Sequence, residues 1–158
     1  MCEYCGCDAI PVIAELIAEH DAIREVARSA RQAAAAGDES AAQLAVARLV
    51  ELLDPHTRVE ELGLFPALAD EFGDHTASLV GEHRALDKAF LEFRGDRCAT
   101  GWERRLVAAL DALFEHILRE RDGLFPAALS TLSPDQWDAL DEVRAGLSAS
   151  GGPAQRLG

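Results

Sequence analysis

The chain has 158 residues, a formal net charge of −13 and an apolar share of 49%, enough for one domain with a single sizeable core. So acidic a surface repels phosphate backbones and anionic membranes, which argues against nucleic acid as a partner. No apolar run is long enough to span a bilayer, and the basic region and apolar stretch of a signal peptide are missing, so a cytoplasmic protein is expected.

Residues 1–8 read as a separate Cys-rich segment with Cys2, Cys5 and Cys7 crowded together. In a cytosolic chain that spacing suggests metal or redox work more than a disulfide framework. The main domain is expected over 9–131. Asp8 is placed to cap a first helix, with Pro11 in its first turn, and Ile13, Leu16, Ile17, Ile23, Ala27, Ala30 and Ala34 recur at helical spacing. Gly37 ends that helix and Asp38 can cap the next. The second helix runs through Val46, Leu49, Leu52 and Leu53 to about Phe72, where Gly73-Asp74 breaks and recaps. The third carries Leu79, Leu86, Phe90 and Phe93 and stops near Gly95. After a loop to Gly101, the fourth carries Leu106, Leu110, Leu113 and Ile117 and fades near Thr131. Ser133-Pro134-Asp135 opens a short C-terminal helix within 132–147, and 148–158 is a Gly/Ser/Pro-rich tail expected to be flexible. Four long helices with short connections predict an all-α, up-down-up-down four-helix bundle. Pro55, Pro66 and Pro126 fall inside helical patterns and should bend a helix or break a turn.

One phrase occurs twice. HTRVEELGLFPA begins at His56 and HILRERDGLFPA at His116, matching His56 with His116, Glu60 with Glu120 and an identical Gly-Leu-Phe-Pro-Ala after each. Helix-forming bias repeats Ala, Leu and Glu, but not this phrase at one offset. The dipeptide Glu19-His20 likewise returns as Glu82-His83. The chain thus divides into two helix pairs, each with one His on its first helix and a His-x-x-x-Glu on its second, implying an approximate internal twofold repeat.

His20, His56, His83 and His116 all follow apolar positions at helical spacing, so they face inward, and each His-x-x-x-Glu lies on one helix face. Counted from the bundle end where the first helix starts, the four helices bring these groups to one level, about 14–18 Å up. Four imidazoles and two carboxylates therefore converge in one slice of the core. A single inward His is usually a satisfied core residue, but two unpaired buried carboxylates would cost several kcal/mol each. Metal ions remove that cost, since neutral imidazoles and carboxylates are good ligands for iron, manganese or zinc, and bundles build two-metal sites this way. Glu61 points about 100° away from Glu60 around the helix and is expected to matter far less.

The pattern His20, His56-x-x-x-Glu60, His83, His116-x-x-x-Glu120, with Leu-Phe-Pro after each Glu, resembles the hemerythrin-like HHE cation-binding family over roughly residues 9–131. The resemblance implies a non-haem di-iron centre in a four-helix bundle. His20 and His56 would bind one iron, His83 and His116 the other. Glu60 and Glu120 would bridge them alongside an oxo or hydroxo group, and Leu64, Phe65, Leu124 and Phe125 would wall the pocket. Oxygen-carrying members place a second His one turn away on the third helix; here that position is Leu79, which cannot bind metal, while Asp87, one turn after His83, is a candidate outer or substitute ligand. Fewer His ligands leave an open position, which favours chemistry over simple reversible storage.

The function expected is binding of dioxygen, nitric oxide or peroxide for sensing, scavenging or delivery. The alternatives are a catalase-like or peroxidase-like di-iron enzyme, and an iron-handling or iron-sensing protein. A separate structural zinc is a candidate at Cys2, Cys5 and Cys7, which leave a tetrahedral site one ligand short. In the bundle His75 lies at the same end as the N-terminus and Cys98 at the opposite end, which selects His75 as the fourth ligand. His75 is about 12 Å along the axis from His83, too far to join the main site. Free reactive thiols or a Cys2–Cys5 disulfide are the other fates of this cluster.

Overall fold

The structure, a computed structural model, describes residues 9–150, and among them all regular structure is helical. The elements in order are α1 (Pro11–Ala36), α2 (Glu39–Val59), a first π turn (Glu60–Leu64), α3 (Phe65–Leu91), a 3₁₀ turn (Glu92–Arg94), α4 (Trp102–Arg119), a second π turn (Glu120–Leu124), α5 (Phe125–Thr131) and α6 (Pro134–Ser150). No helix among the described residues is long and apolar enough to cross a membrane.

Local chemistry sets the ends of α1 and the start of α2. Pro11 opens α1, where a missing N–H is harmless; the cap position is Ile10, in extended conformation and without a side-chain cap bond. The capping residue expected from sequence, Asp8, lies outside the described residues. Gly37 closes α1 in the left-handed region (φ 66°), its N–H donating to the carbonyls of Ala33 and Ala34. Asp38 then caps α2 by accepting from the Ala41 N–H at 3.0 Å.

A straight helix would put Glu61 and His83 about 33 Å apart. Instead His83 Nδ1 lies 2.8 Å from Glu61, so α3 folds back on α2. The bend falls at Phe72, whose φ −127° and ψ 29° are not helical, beside the Gly73-Asp74 break expected from sequence. α1 packs along α2 and α4, and α3 along α4, which makes a helical bundle.

Two apolar cores fill the bundle. One contains Ile23, Leu49, Leu86, Phe90, Leu106 and Leu113; the other contains Ile13, Leu16, Leu64, Leu79, Phe125 and Leu140. His20 on α1 comes after Leu16 of one core and before Ile23 of the other, and His83 lies between Leu79 and Leu86 in the same way. The four buried histidines and the two buried glutamates therefore occupy a layer between two apolar cores. α6 completes the second core through Trp137 and Leu140. It continues to Ser150, past the start of the tail expected from sequence, because its inner turns pack against α2 and the first π turn.

Candidate metal centre

The repeated Gly-Leu-Phe-Pro-Ala phrase has a backbone purpose. A proline within a regular α-helix clashes with the carbonyl four residues earlier. Ahead of both Pro66 and Pro126 the helix widens into a π turn, in which Phe65 N–H donates to the Glu60 carbonyl and Phe125 N–H to that of Glu120. Each proline then sits in the first turn of the following helix, where it is tolerated. Both π turns begin on the inward glutamates, which are completely buried. The phenylalanines of the two phrases stack on histidines: Phe125 on His20 of α1 with ring centres 5.4 Å apart and 9° between planes, Phe65 on His83, beyond the bend of its own α3, at 5.7 Å and 15°.

Six side chains meet between these stacks. Their ligand atoms form two groups, His20, His56, Glu60 and Glu120 in one, and Glu60, His83, His116 and Glu120 in the other. Within each group the atoms lie within 4.8 Å of one another. Both glutamates belong to both groups. The imidazole Nε2 atoms face the carboxylates: His20 to Glu120 at 3.0 Å, His56 to Glu60 at 3.2 Å, His83 to Glu60 at 3.4 Å, and His116 to Glu120 at 2.9 Å. All six residues are at least 95% buried.

Of these contacts the one between His20 Nε2 and Glu120 Oε2 is a hydrogen bond, but most of the inner atoms are close without bonding. Neither Glu60 oxygen has a hydrogen-bond partner, and Glu120 Oε1 and His83 Nε2 also lack one. Buried polar atoms are rarely left so. These atoms converge on shared space rather than on one another, as ligands of a cation do, and nitrogen with carboxylate oxygen is a donor set suited to iron, manganese or zinc. Electrostatics point the same way. Burial opposes charging of His56, but Glu60, Glu19 and Glu120 outweigh it and push this imidazole up to about 10. His83 is likewise raised to about 10 against its burial, by Glu120, Glu60 and Glu61. His20 goes the other way, because burial outweighs its glutamate neighbours. Burial would raise Glu120, yet His116, His20 and His83 hold it well below the usual carboxylate range. Positive charge is therefore favoured in this layer, and a cation supplies it while leaving the imidazoles neutral.

A second ring of carboxylates holds the outward imidazole nitrogens. Nδ1 of His56 bonds Glu19 at 2.8 Å, Nδ1 of His83 bonds Glu61 at 2.8 Å, and Nδ1 of His116 bonds Glu82 at 2.7 Å. Such partners fix the tautomer and plane of a ligating His. Glu61 points away from the inner face of its own helix, as expected, and reaches instead His83 on α3, a role that angle about one helix does not reveal. The repeated Glu-His dipeptides were the available signal for Glu19 and Glu82. The ring is incomplete at His20, whose Nδ1 is buried without a partner. The position matching Glu61 in the second half is Arg121, which turns away to bond Asp21 at 2.8 Å.

Leu79, one turn before His83, is 1% exposed and belongs to an apolar core. Asp87, one turn after, is exposed and falls in neither donor group, although it lines the small cavity beside the four histidines. His75 is exposed on α3; Cys2, Cys5 and Cys7, its expected zinc partners, lie outside the described residues. Cys98 is a free thiol near the start of α2, where its N–H donates to Glu39 at 2.7 Å.

The cavity holds about 10 Å³, the scale of a single water. Apart from the four histidines, its lining is Ile23, Leu53, Leu86, Leu113 and Ile117 with Thr57 and Asp87. Among the described residues no lysine or arginine lines it to orient a larger anion.

Residues 11–128 match the family model of the hemerythrin HHE cation binding domain. Neither a curated protein nor a solved structure matches the chain.

Proposed function

The chain belongs to the hemerythrin HHE cation-binding family, and on that premise we propose that it holds a pair of iron ions and uses them to bind dioxygen, nitric oxide or peroxide for sensing, scavenging or delivery. His20 and His56 would hold one ion and His83 and His116 the other, with Glu60 and Glu120 belonging to both groups of donors. Bound there, the pair supplies open coordination positions and a change of oxidation state. The protein supplies the rest. Outer carboxylates orient three of the imidazoles, the Phe65 and Phe125 rings fix two of the imidazole planes, and apolar side chains keep bulk water away. The matching π turns and Phe–His stacks support an up-down-up-down arrangement of two related helix pairs.

The cavity carries the reading on ligand size. Space for about one water suits a diatomic molecule or peroxide better than an organic substrate. Each ion would take two imidazoles and the two shared carboxylates, and Leu79 offers no further ligand, which would leave coordination room for that molecule. Absorption spectra of the iron-loaded protein under argon, air, nitric oxide and hydrogen peroxide test this. Reversible colour changes with a gas are the expected result. Sustained gas evolution from peroxide would transfer the site to the catalase-like reading, with Thr57 and Asp87 as the polar groups within reach. A spectrum indifferent to all of them would leave iron handling.

Glu61→Ala is expected to weaken iron binding about 10–100-fold, the usual effect of losing a carboxylate behind a ligating His. Chelator competition measures it. An affinity equal to wild type would mean that the Glu61–His83 bond does nothing for the metal.

A further inference from the structure

The two halves of the centre hold their outer glutamates differently. In the second half Glu82, which fixes His116, is itself held by Arg119, with Nη2 at 3.0 Å and Nε at 3.3 Å. Arg119 belongs to the repeated phrase, three residues after His116. The matching residue three after His56 is Val59, which is buried in an apolar core. Glu19, which fixes His56, therefore receives no guanidinium from the repeat. It receives one from elsewhere: Arg144 of α6 donates to Glu19 through Nη2, and its Nε pairs with Glu15 one turn earlier on α1. The fork of one arginine thus joins two carboxylates on the same helix face.

α6 is seated so as to make this reach. A Cβ at Gly63 would meet Leu140 and Val143 at 3.4 Å, whereas one at the matching Gly123 would meet nothing within 4 Å. The first π turn is where α6 comes closest, and the second is left open. Trp137 and Leu140 anchor the helix in the core, with Arg144 one turn past Leu140. α6 begins at Pro134, beyond the residues 11–128 matched by the family model.

We propose that Arg144 is a positioning residue for the His56 half of the metal centre, and that α6, an element outside the family domain, supplies the arginine that the first half of the repeat lacks. The chain of contacts runs from Arg144 to Glu19 to His56 Nδ1, parallel to that from Arg119 to Glu82 to His116 Nδ1. This rests on the iron-pair reading above. It makes the two ions separable: one is secured by the bundle alone, the other also by the C-terminal helix.

The test is release of iron to a ferrous chelator from anaerobically loaded full-length protein, with circular dichroism to confirm folding. Arg144→Ala should release one of the two ions about tenfold faster or more and leave the other at its wild-type rate. Arg119→Ala should also speed one ion, and the double variant should speed both. Arg144→Lys should fall between, since an ammonium keeps the charge but cannot fork to both glutamates. Arg58→Ala, which removes a charge near Glu19 that pairs instead with Asp54, should behave as wild type. Wild-type rates in Arg144→Ala would overturn the proposal, and so would an equal acceleration of both ions. Wild-type protein that takes up no iron would overturn the reading of the centre itself, a different outcome from a loaded pair indifferent to Arg144.

Discussion

Replacing Glu60 or Glu120 by alanine is expected to lower the iron content of reconstituted protein from about two per chain to one or none. Each carboxylate belongs to both groups of donors, so on the proposed iron-pair reading each substitution would take a ligand from both ions at once. The loss goes beyond one bond. Without Glu60, the Nε2 atoms of His56 and His83 lose the carboxylate at 3.2 and 3.4 Å, and two adjacent dications lose an anion that offsets their mutual repulsion. Glutamine at either position retains the shape and removes the charge, which separates the electrostatic part from the packing part. Metal analysis after reconstitution, with circular dichroism to verify the fold, gives the answer. A Glu60→Ala protein that still carried both ions would show that Glu60 is not a shared ligand. The two alanine variants should resemble each other, because the glutamates occupy matched places at the start of matched π turns.

Phe125→Ala is expected to cost about 3–5 kcal/mol of stability, as truncation of a buried aromatic commonly does, and to lower the thermal midpoint on the order of 10 °C. The ring is fully buried and lies flat against His20. Its removal opens a cavity in the second core and frees the imidazole plane. His20 is the one metal-layer histidine whose Nδ1 has no acceptor, so its orientation leans on the Phe125 stack and the Glu120 bond. Iron release from Phe125→Ala should therefore accelerate more than from Phe65→Ala, even if the two lose similar stability. His83, the partner of Phe65, keeps its Glu61 bond. Thermal melts with and without iron, together with release kinetics, distinguish the two effects. Equal acceleration in both variants would mean that stacking, and not the missing acceptor, governs how firmly each His is held.

The residues at the centre were legible in the sequence because the signal is local. Residues four apart share a helix face, so His56 and Glu60, and His116 and Glu120, announce themselves in pairs. The apolar spacing around His20 and His83 turns those inward without reference to any other helix. The identical Gly-Leu-Phe-Pro-Ala phrases marked two equivalent places, and the prolines warned of interrupted helices. The answer to that interruption, a π turn opening on each glutamate, depends on how the backbone relieves the clash and could not be read from residue types.

What the sequence by itself determined is the helical class, the inward layer of four histidines and two glutamates, and the family to which that layer belongs. Tertiary structure alone decided the surroundings. Glu61 was set aside because angle around its own helix was the only measure available; its partner His83 stands on α3, which folds back at Phe72. Glu19 and Glu82 bond histidines on other helices in the same way, and Arg144 reaches Glu19 from the far end of the chain. Periodicity records the direction of a side chain about its own axis. Which neighbour it meets depends on the rotation and separation of packed helices, set by the joint packing of both cores, and no single segment of the chain contains that information.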